Sequence, residues 1–195
     1  MPDARENADH AGFDPPLRID WINGDLLRDG LPGRLGLTIL PGKHGVSTRY
    51  PKRTYRRDID EDFASLALAG VRRLMLLVED DELVRWSDPC IVERGAVRGV
   101  QVLRHPIADG HPPADLAEMR RILGEVRAGR AAGDVAVACM GGVGRTGTVA
   151  ACALVEAGME ADAAIATVRS VRHPQAVETA AQEAFVRAFA AGARG

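Results

Sequence analysis

The chain of 195 residues is 46% hydrophobic and 27% charged, with a formal net charge of −2. That length suits one hydrophobic core of ordinary size, and the balance excludes a wholly disordered chain, a collagen-like repeat and a coiled coil. Near-neutral charge argues against a dedicated nucleic-acid binder, and no apolar run reaches the roughly 18 residues that cross a bilayer, so neither partner is expected.

Residues 1–16 carry charge, Gly12, Pro15 and Pro16 but no apolar period, and read as a flexible tail before a single domain over 17–195. Asp3, Arg5 and Glu6 without an apolar stretch argue against a secretory signal. Short strands are expected at 20–22 and 35–40, the second stopped by Pro41-Gly42, with a polar loop running on to Arg57. A helix over 58–69 carries Asp60, Glu61 and Asp62 in its first turn, where negative charge suits the helix dipole, and Gly70 stops it.

The apolar run 72–78 has the length and composition of a strand buried on both faces. Glu79-Asp80-Asp81-Glu82 opens a short helix to Trp86; a helix over 90–96 and a strand over 99–103 follow. Residues 115–131 form a long amphipathic helix with Asp115 as its N-cap and Leu116, Met119, Ile122, Leu123 and Val126 on its apolar face. Val135 to Ala138 form a small buried strand, and helices over 146–157, 161–171 and 178–190 close the chain. Strands alternating with helices give an α/β class: one domain with a central, mostly parallel sheet flanked by helices.

Cys90, Cys139 and Cys152 are too few and too scattered for a disulfide framework, so a reducing cytoplasm is the expected compartment. Five dispersed histidines offer no metal spacing, and neither metal nor cofactor is expected. Of 25 basic residues 23 are Arg, which removes any inference from the choice of Arg over Lys at a given position.

The informative stretch is Cys139-Met140-Gly141-Gly142-Val143-Gly144-Arg145-Thr146-Gly147, between a buried strand and a helix. In such a turn the N–H groups face inward and the helix N-terminus adds positive potential, which makes an anion cradle. Arg145 at the helix start can grip two phosphate oxygens. A cysteine at the strand end faces the same field, which favours its thiolate. A Cys-x5-Arg pair alone arises by chance about a third of the time in a chain of this composition; requiring Gly142, Gly144 and Thr146 as well reduces that to about a few in ten thousand. Gly142-Val143-Gly144-Arg145-Thr146-Gly147 also spells a dinucleotide fingerprint, but that reading needs a strand ending in an acidic residue about 20 positions on. Here the following segment ends in Arg172-His173-Pro174. A structural tight turn with Cys139 as core is the remaining alternative.

Cys-x-x-Gly-x-Gly-Arg-Thr resembles the phosphate loop of cysteine-dependent protein tyrosine and dual-specificity phosphatases. Gly33-Arg34-Leu35-Gly36-Leu37 with Leu40-Pro41-Gly42, His105-Pro106-Ile107-Ala108-Asp109-Gly110, and Ala176-Val177-Glu178-Thr179 with Gln182 are similar to the kinase-associated phosphatase branch, in the same order. The resemblance implies hydrolysis of phosphotyrosine, with phosphoserine and phosphothreonine as further substrates, through a cysteinyl-phosphate on Cys139. It implies phosphate binding by Arg145 and the N–H groups of Met140, Gly141, Gly142, Val143 and Gly144, and Asp109 as general acid. Thr146 would donate to the Cys139 sulfur and Gln182 would position water. The implied partner is a phosphoprotein or phosphopeptide. The family has His where this chain has Ala138, which implies a less acidic nucleophile and keeps open a second class, a catalytically weak phosphate-recognising module. The loop also lacks the lysine common in relatives that act on phosphoinositides. Lys43, Arg49, Lys52, Arg53, Arg56 and Arg57, interleaved with Tyr50 and Tyr55, read as a solvated basic loop or as a means of recruiting an anionic substrate.

Overall fold

Five strands form the central sheet: β1 (Asp20–Ile22), β2 (Leu35–Ile39), β5 (Val71–Leu76), β6 (Gln101–Arg104) and β7 (Asp134–Cys139). The computed structural model describes residues 13–47 and 52–192. The strand order is β1-β2-β7-β5-β6, parallel throughout except for the antiparallel edge strand β1. In the innermost strand, β7, the five residues Val135-Ala136-Val137-Ala138-Cys139 are all buried, as a strand covered on both faces requires.

Helices α1 (Ile59–Leu68) and α3 (Ile91–Val97) cover one face; α4 (Leu116–Arg130), α5 (Gly144–Glu156), α6 (Ala161–Val171) and α7 (Ala180–Gly192) cover the other. Asp58 caps α1 by accepting the N–H groups of Asp60 and Glu61, and Asp115 caps α4 by accepting that of Glu118. The short α2 (Asp80–Trp86) begins with a reciprocal Glu79–Glu82 capping box. The α/β architecture and the order of its main elements follow the expectation from sequence.

One stretch does not. The expected polar loop before Arg57 contains a second, two-stranded sheet, β3 (His44–Val46) paired antiparallel with β4 (Thr54–Arg56). Its apolar pattern is nearly silent: Tyr55 is buried while its neighbours are exposed. Arg49 and Tyr50 of the basic stretch lie outside the described residues, as do positions 1–12 of the expected tail. Asp14 is tied to β4, its N–H donating to Arg56 O at 3.0 Å and its carboxylate accepting the Arg56 N–H at 2.8 Å.

The chain leaves β5 toward β6 on one side and returns as β7 on the other. The crevice beyond the carboxyl ends of β2, β7 and β5 is therefore a topological switch point, where open α/β sheets bind ligands.

Candidate active site

Cys139 ends β7 in that crevice, and the next four residues turn sharply into α5. Each outward carbonyl of the turn has a donor. Lys43 Nζ reaches Met140 O at 3.2 Å, and Arg172 donates to Gly141 O at 3.1 Å and Gly142 O at 2.9 Å. The N–H groups of Gly147 and Val177 donate to Val143 O, and the Thr148 hydroxyl donates to Gly144 O. With its carbonyls held outside, the loop has its N–H groups left to face inward. Those of Val143 and Thr146 favour the ionised form of the Cys139 sulfur. Gly142 makes the turn possible: its φ is +67°, and a Cβ there would sit 2.3 Å from Thr38 O.

Burial disfavours a Cys139 thiolate, but the Arg145 charge, the Thr146 hydroxyl and N–H, and the Val143 N–H outweigh it and hold the thiol below its ordinary pKa. The Thr146 hydroxyl is buried without a hydrogen-bond partner of good geometry, and its nearness to the sulfur favours the thiolate. Cys152, on α5, is pushed up by burial and belongs to the core; Cys90 is an exposed thiol beside α3.

Arg145 is 2% exposed and aimed by fixed acceptors. Glu82 of α2 accepts from Nη1 at 2.6 Å and Nη2 at 2.7 Å, and Ile107 O accepts from Nη1 at 2.8 Å. Asp109 Oδ1 accepts from Nη2 at 2.9 Å, although the Asp109 side chain is 79% exposed. The 105–110 stretch continues the pairing past β6, with the N–H groups of His105 and Ile107 donating to Leu76 O and Leu77 O. Thr179 Oγ1 donates to Gly110 O at 2.9 Å and Gln182 Nε2 to His111 O at 3.2 Å, so the loop that carries Asp109 is pinned to the start of α7.

Cys139, Arg145, Asp109 and Gln182 line one cavity of about 560 Å³, together with Met140, Gly141, Val143 and Gly144. Gly142 lies behind the lining, packed on Thr38. Gln182 is placed against Gly144, but its amide is spent on backbone: Oε1 accepts from the N–H groups of Glu178 and Thr179. With Gln182 N–H donating to Thr179 Oγ1 this makes a capping box at the start of α7. Val177 beside it has φ +57°, a strained conformation for a β-branched residue, held by its N–H bond to Val143 O and by Arg169 on its carbonyl.

Sequence reasoning missed three contributors. Glu82 reads only as a helix opening, since nothing local shows that it reaches Arg145. Arg172, whose Nη1 pairs with Asp20 Oδ2 at 2.6 Å, reads only as the end of a segment. Lys43 reads as one of a solvated basic run, yet it is 6% exposed and enters the cavity wall. The phosphate loop has no lysine of its own, and one arrives from outside. Among the described residues no group of three or more His, Cys, Asp or Glu side chains could hold a metal ion, and no helix is long and apolar enough to cross a membrane.

A mostly parallel sheet of this order, with a Cys-x5-Arg loop closing its central strand, places the chain in the dual-specificity class of cysteine-dependent phosphatases. The crystal structure of kinase associated phosphatase, determined with its catalytic-site cysteine replaced by serine, matches with a TM-score of 0.79 at 26% identity, over 93% of this chain and 98% of that one. The crystal structure of Tk-PTP in its active form matches with a TM-score of 0.65 at 28% identity, over 82% and 92%. Human and rat cyclin-dependent kinase inhibitor 3 are each 28% identical over 177 residues, covering 89% of this chain and 79% of theirs. The family model of cyclin-dependent kinase inhibitor 3 (CDKN3) matches residues 4–165, and the chain belongs to that family.

Proposed function

We propose that this chain is a protein phosphatase that hydrolyses phosphotyrosine, with phosphoserine and phosphothreonine as further substrates, through a cysteinyl-phosphate. The observation that carries the reading is the convergence of a stabilised Cys139 thiolate, a guanidinium fixed from behind by Glu82 and a carboxylate at the rim on one cavity. Pro15, Pro16, Ile39 and Tyr55 give that cavity an apolar wall, which suits a phenyl ring.

The phosphate oxygens take the inward N–H groups of residues 140–145 and the Arg145 N–H groups that Glu82 and Ile107 O do not occupy. Asp109 holds one of those N–H groups in the free protein, so an arriving phosphate displaces it toward the leaving oxygen. The Cys139 sulfur attacks phosphorus, the P–O bond breaks, and protonated Asp109 gives its proton to the departing phenolate or alkoxide. The Asp109 carboxylate then takes a proton from water as its oxygen attacks phosphorus; the S–P bond breaks and the thiolate returns, helped by the Thr146 hydroxyl. For Gln182 to orient that water, its Nε2 must exchange His111 O for it. A phosphoprotein or phosphopeptide is the partner this chemistry requires, and a reducing, cytoplasmic setting keeps the thiolate intact.

Hydrolysis of p-nitrophenyl phosphate tests the reading: wild type is active and Cys139→Ser loses the activity by a factor of at least about 10³. Wild type that binds orthovanadate yet turns nothing over would establish instead the phosphate-recognising module.

A further inference from the structure

We propose that Lys43 is a positioning residue for the nucleophile: its buried ammonium braces the outer rim of the phosphate loop and holds Cys139 in the thiolate form. Three observations carry this. Lys43 Nζ donates to Met140 O, the carbonyl next to the nucleophile, at 3.2 Å. It also lies 3.9 Å from the centre of the buried Tyr55 ring, which fixes it over the loop from the β3–β4 side. Finally, each arginine of the cavity wall has a carboxylate partner: Arg145 has Glu82 and Asp109, Arg57 has Asp62, Arg172 and Arg18 share Asp20, and Arg53 has Asp14. Lys43 has no carboxylate at ion-pair distance among the described residues.

The comparison with Arg172 shows what is particular to Lys43. Both satisfy carbonyls of the loop, but the Arg172 charge is offset by Asp20, so its contribution is mainly geometric. The Lys43 charge is left to act on its surroundings, and a cation that shares a cavity wall with a buried thiolate favours the ionised form. The groups that face it are Cys139, Arg53, Asp109 and Asp14. Arg53 opposes its charge, whereas Cys139, Asp109 and Asp14 support it. Burial moves the Lys43 pKa down to about 8, so the ammonium persists at neutral pH. The position is thus filled by a cation whose own charged state is costly, and the largest of its favourable partners is the nucleophile.

The proposal rests on Cys139 as the nucleophile, but its test does not need turnover. In the full-length chain, the rate of Cys139 alkylation by iodoacetamide is followed against pH, with Cys139 read by peptide mass spectrometry to separate it from Cys90. Lys43→Gln keeps an N–H donor near Met140 O without the charge, and it raises the alkylation midpoint by about half to one pH unit; Lys43→Arg restores it. An unchanged midpoint in Lys43→Gln overturns the proposal. Should that variant fail to fold, coupling is read from the other end, because it is reciprocal. The chain has only two lysines, so ¹³C-methylated lysine signals are simple to assign. Cys139→Ser lowers the Lys43 midpoint by a similar amount if the charges interact; an unmoved midpoint refutes the interaction.

Discussion

Lys43 shows how a single buried residue can work against the fold and for the site. Its folded pKa of about 8 lies below the ordinary lysine value of 10.5, chiefly because burial disfavours the ammonium. Below pH 8 the residue is charged in the folded state, and the full burial penalty is present; the penalty fades as pH rises through 8 toward 10.5, where the folded chain sheds the proton first. Lys43→Met should therefore raise the Tm at pH 6.5 by roughly 2–4 °C, with the gain shrinking above pH 8. Thermal scans at both pH values check this, and a lowered Tm at pH 6.5 would mean that the Met140 and Tyr55 contacts outweigh burial. Cys139 shifts stability with pH in the same direction. Its depressed pKa contributes stability above the ordinary thiol range, and that contribution is lost as pH falls through the folded pKa.

Among the elements, α2 is the one whose role is least visible from its own residues. It is seven residues long and contributes a single side chain to the site, Glu82, which also closes its own capping box by accepting the Glu79 N–H at 2.9 Å. Helix start and arginine orientation thus depend on one carboxylate. Glu82→Gln leaves the buried Arg145 guanidinium with only the exposed Asp109 carboxylate as counter-charge and should lower stability by about 2 kcal/mol. It should also weaken orthovanadate inhibition, since Arg145 is no longer aimed. Urea titration and inhibition curves measure the two effects, and unchanged inhibition would show that Ile107 O and Asp109 suffice to place Arg145. The β3–β4 hairpin is a comparable case: two three-residue strands with one buried side chain offer no period for sequence reading to detect.

Across the molecule, the edge of the sheet that carries Cys139 and the opposite end are separable. At the opposite end Arg130, 2% exposed, pairs with Asp29 and donates through Nε to Gly33 O at 2.8 Å, fastening the connection before β2 to the end of α4. Asp29→Asn should destabilise the chain by about 2 kcal/mol, because a buried guanidinium loses its counter-charge. Hydrolysis per folded molecule should stay the same, since neither residue reaches the cavity of Cys139. Urea midpoints and turnover measured on the same sample decide it; a fall in turnover per folded molecule would reveal coupling between the two ends.

The α/β class, the order of the main elements, the Asp115 cap and the Cys139–Arg145 loop were legible in the amino-acid sequence. Each rests on local physics: apolar periods, capping chemistry, and glycines where a strand turns into a helix. Tertiary structure alone decided what surrounds that loop. Glu82 lies 63 positions from Arg145, and Lys43 lies 97 from Met140. No local pattern distinguishes Glu82 from its acidic neighbours, or Lys43 from a solvated lysine. Only the packing of α2 and the β3–β4 hairpin onto the carboxyl edge of the sheet removes water from those side chains and leaves the phosphate loop as their partner.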